Sequence, residues 1–121
     1  MLLIIGAEGS GKREFALSQG YADGDIADGV WDEKPVLMHL ESMIFPAVYA
    51  GTYNKEAWLE KLRCKEIVIC NEVGSGVIPI AREERLAREE TGRICTLLAK
   101  EADTVVRMVC GIPQVLKGRL E

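Results

Sequence analysis

Histidine is almost missing from this chain, with His39 the single copy among 121 residues. A basic surplus is missing as well: 15 Lys and Arg against 19 Asp and Glu give a net charge of −4. A surface that tracks a phosphate backbone shows the opposite balance, so nucleic acid is not an expected partner and any anion site must be local. No apolar run approaches the roughly 18 to 20 residues of a membrane span. Leu2 to Ile5 is too short, and lacks the basic flank, for a signal peptide. Cys64, Cys70, Cys95 and Cys110 lie far apart, without the paired spacing of a zinc site, and no residue is assigned to a metal. Cys70 and Cys110 fall in apolar, strand-like runs, where a thiol serves as a small hydrophobe. Reduced, structural cysteines of this kind point to the cytoplasm. There is no internal repeat.

What is present is a chain of one-domain length with 48% apolar residues. That is enough for a real core, and residues 1–121 are expected to form a single domain. The stretch MLLIIGAEGSGKRE at its start carries the most specific signal. Met1 to Ile5 read as a short, wholly apolar strand of the kind a parallel sheet buries on both faces. Gly6, Ala7, Glu8, Gly9, Ser10, Gly11, Lys12 and Arg13 follow, and a helix is expected from about Lys12 to Ala22. Strand, glycine loop with lysine, then helix is a phosphate-binding arrangement. Glycines let successive backbone N–H groups turn inward around an anion, and the lysine reaches the outer phosphates. The full pattern requires Ser or Thr after the lysine to hold Mg²⁺. Arg13 stands there instead, and a guanidinium cannot coordinate a metal.

Further along, Gly20 to Lys34 is acidic and glycine-bearing, and reads as a surface loop with a short ordered piece around Ile26. Pro35 to Leu40 is the second expected strand. Glu41, just beyond it, is the available acid for completing a Mg²⁺ site. His39, alone on an apolar strand, reads as a satisfied core residue before it reads as a catalyst. Glu41 to Phe45 opens a helix that Pro46 is expected to interrupt or reposition. Asn54 caps a helix to Arg63 with Trp58, Leu59 and Leu62 as its buried stripe. Lys65 to Cys70 is the third strand, and it leads into Asn71, Glu72, Val73, Gly74, Ser75, Gly76, Val77, Ile78 and Pro79. A glycine-containing loop at that point sits at the carboxyl edge of the sheet, where α/β proteins bind ligands.

Ile80 to Ala102 is the longest expected helix, with Ala87, Ile94 and Leu98 on its apolar stripe. Arg82, Arg85 and Arg88 lie among Glu83, Glu84, Glu89 and Glu90, which on spacing alone reads as a solvated, salt-bridged face. Gly92 in mid-helix suggests close packing. Thr104 to Cys110 is the fourth strand, ended by Gly111-Ile112-Pro113 and followed by a short tail. The fold expected from this series is α/β, three-layered, with a mostly parallel sheet of about four strands.

With these segments placed, Asn71 to Pro79 resembles the NEVGxGIVP signature of the bifunctional adenosylcobinamide kinase / adenosylcobinamide-phosphate guanylyltransferase family of cobalamin biosynthesis. Arg82, Arg85 and Arg88 follow Pro79 at that family's offsets, and Gly92-Arg93 completes the series. Ala102-Asp103, Gly111-Ile112-Pro113 and Leu116-Lys117 resemble its ending, and Gly6 to Lys12 its phosphate loop. The resemblance covers residues 1 to about 20 and 66–117. It implies a P-loop NTPase (RecA-like) fold, GTP or ATP held by Gly6 to Arg13, and a homo-oligomer, a trimer in the family. It also implies a helix bearing Arg82 and Arg85 close to the substrate, adenosylcobinamide, with Asn71, Glu72, Gly74 and Gly76 on the neighbouring loop. For phosphoryl transfer Lys12 would hold phosphates, and Glu41 or Glu72 would bind Mg²⁺ or orient the hydroxyl. The chain departs from the family between its first helix and second strand, where the guanylylated histidine belongs; Gly20 to Lys34 contains none. The expectation is a kinase-like nucleotide-binding protein without guanylyltransferase activity. The alternative is a catalytically degenerate nucleotide- or anion-binding relative with a regulatory or scaffolding role.

Overall fold

The computed structural model describes residues 1–72 and 81–120. Among them run β1 (Leu2–Gly6), α1 (Lys12–Ser18), a 3₁₀ turn (Asp23–Asp25), β2 (Ile26–Asp28), β3 (Val36–Met38), α2 (Leu40–Ala50) and α3 (Lys55–Leu62). β4 (Ile67–Asn71), α4 (Arg82–Glu101), β5 (Thr104–Val109) and β6 (Ile112–Lys117) complete the series. The strands form one sheet in the order β2-β3-β4-β1-β5-β6. All neighbouring pairs are parallel except β5 with β6.

The sheet is mixed α/β and mostly parallel, as expected, but it has six strands rather than four. β2 is the short ordered piece expected around Ile26 within the acidic loop, but the sequence does not mark it as a strand, since three residues are too few to show a period. β6 lies where a tail was expected. Every one of its residues is exposed, so no burial alternation marks it, and its Pro113 is tolerated because β6 is an edge strand. β5 and β6 are joined by Cys110 and Gly111, with φ of 50° and 78°. Paired positive φ values suit the twist of a two-residue hairpin turn. Cys110 is therefore an exposed turn residue and not the small core hydrophobe its apolar run suggested.

Alternate strand residues feed two cores, as a sheet covered on both faces requires. Leu3, Leu37, Val68, Cys70 and Val105 pack with Leu40 and Ile44 of α2, Leu59 and Leu62 of α3, and Ile94 and Leu98 of α4. Ile4, Val36, Ile67, Ile69, Val106 and Met108 pack with Ala16 of α1 and its half-buried Phe15 and Leu17. Asn54 caps α3 as its sequence promised, its side chain accepting from Ala57 N–H at 3.1 Å. α2 runs through Pro46 without ending there, because its Leu40 and Ile44 are anchored in the core on the turns before the proline. Gly92 has open space where a Cβ would stand, so its place in α4 owes nothing to close packing. No helix among the described residues is long and apolar enough to cross a membrane.

Candidate functional site

The carboxyl ends of β3, β4, β1 and β5 meet the start of α1, and the loop from Gly6 to Gly11 lies across that edge. Its glycines are required by geometry. A Cβ on Gly6 would stand 2.6 Å from Ser10 Oγ and 2.8 Å from the Met108 carbonyl oxygen. Gly11, at φ 94°, is left-handed, and a Cβ there would meet Gly111 Cα at 3.1 Å. The loop closes on itself through Ser10 N–H donating to Ala7 O at 3.2 Å. It is tied to the far hairpin by Gly111 N–H donating to Ser10 O at 2.9 Å.

Lys12 opens α1 and is only 4% exposed. Its Nζ donates to Ala7 O at 2.5 Å and to Ser10 Oγ at 3.5 Å. Among the described residues no carboxylate pairs with it. A buried ammonium without a counter-charge is costly, and a site that keeps one is built for an anion.

Around this loop the acidic residues are all engaged. Glu41, in the first turn of α2, accepts from Asn71 N–H at 2.7 Å. Asn71 Nδ2 donates to the Glu8 carboxylate, while its buried Oδ1 has no donor among the described residues. Glu72 lies against the loop, its N–H donating to Gly6 O at 2.9 Å. The Glu72 carboxylate takes two donations from Arg107, at 2.5 Å and 3.2 Å, and this pairing raises the Arg107 pKa. His39 is not a strand residue. It caps α2 just past β3 in the left-handed region at φ 60°, and its Nδ1 lies 2.5 Å from Asp28 Oδ1. Arg13 donates to Asp23 at 2.5 Å, with its other nitrogen 4.0 Å from Met38 Sδ at the end of β3.

Lys12, Glu41, Asn71 and Glu72 thus gather at one edge of the sheet. Gly74 and Gly76 lie outside the described residues. Arg82 and Arg85 stand exposed on the first turns of α4 with no ion pair among the described residues, whereas Arg88 lies 3.2 Å from Glu84. Four neighbours escaped the sequence reading: Asp23, Asp28, Arg107 and Gly111. Only Arg107 carried a signal, as the one charge within the apolar run TVVRMV. A groove of about 710 Å³ lies elsewhere, between α4 and the β5–β6 hairpin. It is lined mainly by Leu3, Ile5, Ala99, Val105 and Leu116 and holds no such chemistry.

A phosphate loop of this pattern implies Mg²⁺, and the residues here do not fit it. The hydroxyl that would coordinate the ion is replaced by the Arg13 guanidinium. Glu8, Glu41, Glu72, Asp23 and Asp28 each already face an N–H donor or a histidine nitrogen. Among the described residues no three His, Cys, Asp or Glu side chains gather as a metal-binding group.

None of the curated proteins compared with this chain matches it. A family model described as cobinamide kinase / cobinamide phosphate guanyltransferase matches residues 37–116. That stretch runs from β3 almost to the end of β6 and leaves the phosphate loop outside it. With about two thirds of its length inside the match, the chain belongs to the cobinamide kinase / cobinamide phosphate guanyltransferase family, phosphate-loop proteins of cobalamin biosynthesis.

Proposed function

We propose that this chain, as one RecA-like phosphate-loop domain, binds GTP or ATP at Gly6 to Arg13 and acts as an adenosylcobinamide kinase-like phosphotransferase. The observation that carries the reading is Lys12, a buried cation whose only partners among the described residues are the loop's own oxygens. An incoming phosphate supplies the missing negative charge. Phosphoryl transfer asks chiefly for positioning and charge neutralisation. Lys12 and the loop N–H groups supply both for the nucleotide. Asn71 and Glu72 would face the acceptor hydroxyl, Glu72 orienting it; Gly74 and Gly76 are assigned to the substrate by the family resemblance alone. Arg82 and Arg85 are free to meet anionic groups of substrate or nucleotide. The guanylyltransferase half-reaction is lost with its histidine, because Gly20 to Lys34 offers no nucleophile of that type. We take the protein to be cytoplasmic and to work as a homo-oligomer, the family's trimer.

A second reading, nucleotide or anion binding without turnover in a regulatory or scaffolding role, draws on the engagement of Glu41 and Glu72 described above. The deciding experiment measures GTP and ATP binding and then formation of adenosylcobinamide phosphate. Binding abolished by Lys12→Ala, with product formed, is the expected outcome. Binding without product leaves the second reading, and absence of binding removes both.

A further inference from the structure

We infer that the phosphate site works without a divalent cation, with the Arg13 guanidinium as its fixed second positive charge beside Lys12. The ligand class is the metal-free polyphosphate of a nucleotide, or inorganic pyrophosphate. The inference rests on the phosphate-binding reading of the loop and holds whether or not a phosphoryl group is transferred.

Arg13 follows Lys12 directly, at the position where the pattern places the hydroxyl that bridges metal and phosphate. Its side chain reaches across to the end of β3, within 4.0 Å of Met38 Sδ. The strand end that would supply an acid for the ion supplies Met38 and His39 instead, and His39 is occupied by Asp28. Arg13 is held by Asp23, whose side chain is 73% exposed on the 3₁₀ turn. An ion pair that open to solvent is weak. Arg13 can therefore exchange Asp23 for a phosphate oxygen, which a planar guanidinium binds in bidentate fashion. A cation fixed in the chain also makes an ion there redundant, since Mg²⁺ and a guanidinium would repel one another across a few ångströms. Of the nearby acids, Glu72 is neutralised by Arg107, and Glu41 is the one left to balance an added charge, its oxygens accepting from the Asn71 N–H and the Ser42 hydroxyl.

The test is titration calorimetry of the full chain with GTP, ATP and pyrophosphate, in excess Mg²⁺ and in EDTA. Wild-type affinity is expected to agree within about twofold between the two conditions. Arg13→Ser should weaken binding in EDTA by about tenfold and recover part of it in Mg²⁺, while Arg13→Lys, which keeps the charge but loses the two-pronged contact, should fall between the two. Asp23→Asn, a surface change that frees the guanidinium, should tighten binding in EDTA a few-fold. Wild-type binding about tenfold tighter with Mg²⁺ overturns the inference and leaves phosphate binding standing. So does Arg13→Ser binding as well as wild type in EDTA, or Asp23→Asn failing to tighten it. If wild type and Lys12→Ala both ignore every probe, the phosphate-site reading falls as well.

Discussion

The two halves of the site differ in how they are built. The phosphate half is made of backbone: Gly6 and Gly11 are pinned by contacts that exclude a Cβ, and Lys12 is buried against loop oxygens. The metal half is made of side chains, and each has been redirected to another side chain or N–H of the same chain. A backbone cradle is held by the whole sheet and tolerates side-chain changes that leave Gly6 and Gly11 in place. A coordination site depends on a hydroxyl and an acid at particular positions, and one substitution such as Arg13 removes it.

The backbone half is most vulnerable at Gly6. Gly6→Ala should destabilise the fold by about 3 kcal/mol, because Ser10 and the Met108 carbonyl must move. Thermal melting should show a fall on the order of 10 °C. Lys12→Met should weaken nucleotide binding about 100-fold and raise the melting temperature of the free protein by about 2 to 5 °C, since it removes a buried, unpaired charge. A drop in both would mean that Lys12 is structural. On the other half, Arg13→Ser with Arg107→Ala restores the hydroxyl and releases Glu72. That double variant should bind nucleotide about tenfold tighter with Mg²⁺ than in EDTA.

Two smaller changes fix the baseline. Cys110→Asn, which suits a left-handed turn residue, should raise the melting temperature by about 1 to 3 °C without altering nucleotide affinity. Arg63 and Glu101 pair at 2.7 Å away from both halves, and the guanidinium holds the Glu101 carboxyl below its usual range. A depressed carboxylate pKa stabilises the fold above the unfolded value and loses that effect as pH falls through the folded one. Glu101→Gln should therefore lower the melting temperature slightly at neutral pH, by about a degree or less for so exposed a pair. The gap should close as pH drops below the carboxylate range.

The legibility of the chain follows the same division. Apolar runs buried on both faces, the Asn54 cap and the long stripe of α4 could be read because burial and capping leave periodic or positional marks. β2 and β6 left none, one because it is short and the other because it is exposed throughout. The glycine loop was legible because its residue types are dictated by backbone angles. The partners Asp23, Asp28 and Arg107 were not, since they meet Arg13, His39 and Glu72 from 10, 11 and 35 residues away, through folding alone.

The hydrogen bond from Gly111 to Ser10 joins the glycine loop to a turn 101 residues further along the chain. During synthesis β1 emerges early, yet its parallel partners are β4 and β5, and the turn that buttresses its loop lies beyond both. The cradle therefore cannot acquire its final shape until the β5–β6 hairpin has left the ribosome. Shaping of the loop thus waits on contacts distant in sequence, which close slowly. A nascent chain halted before Cys110 would carry the glycine sequence without the support that shapes it.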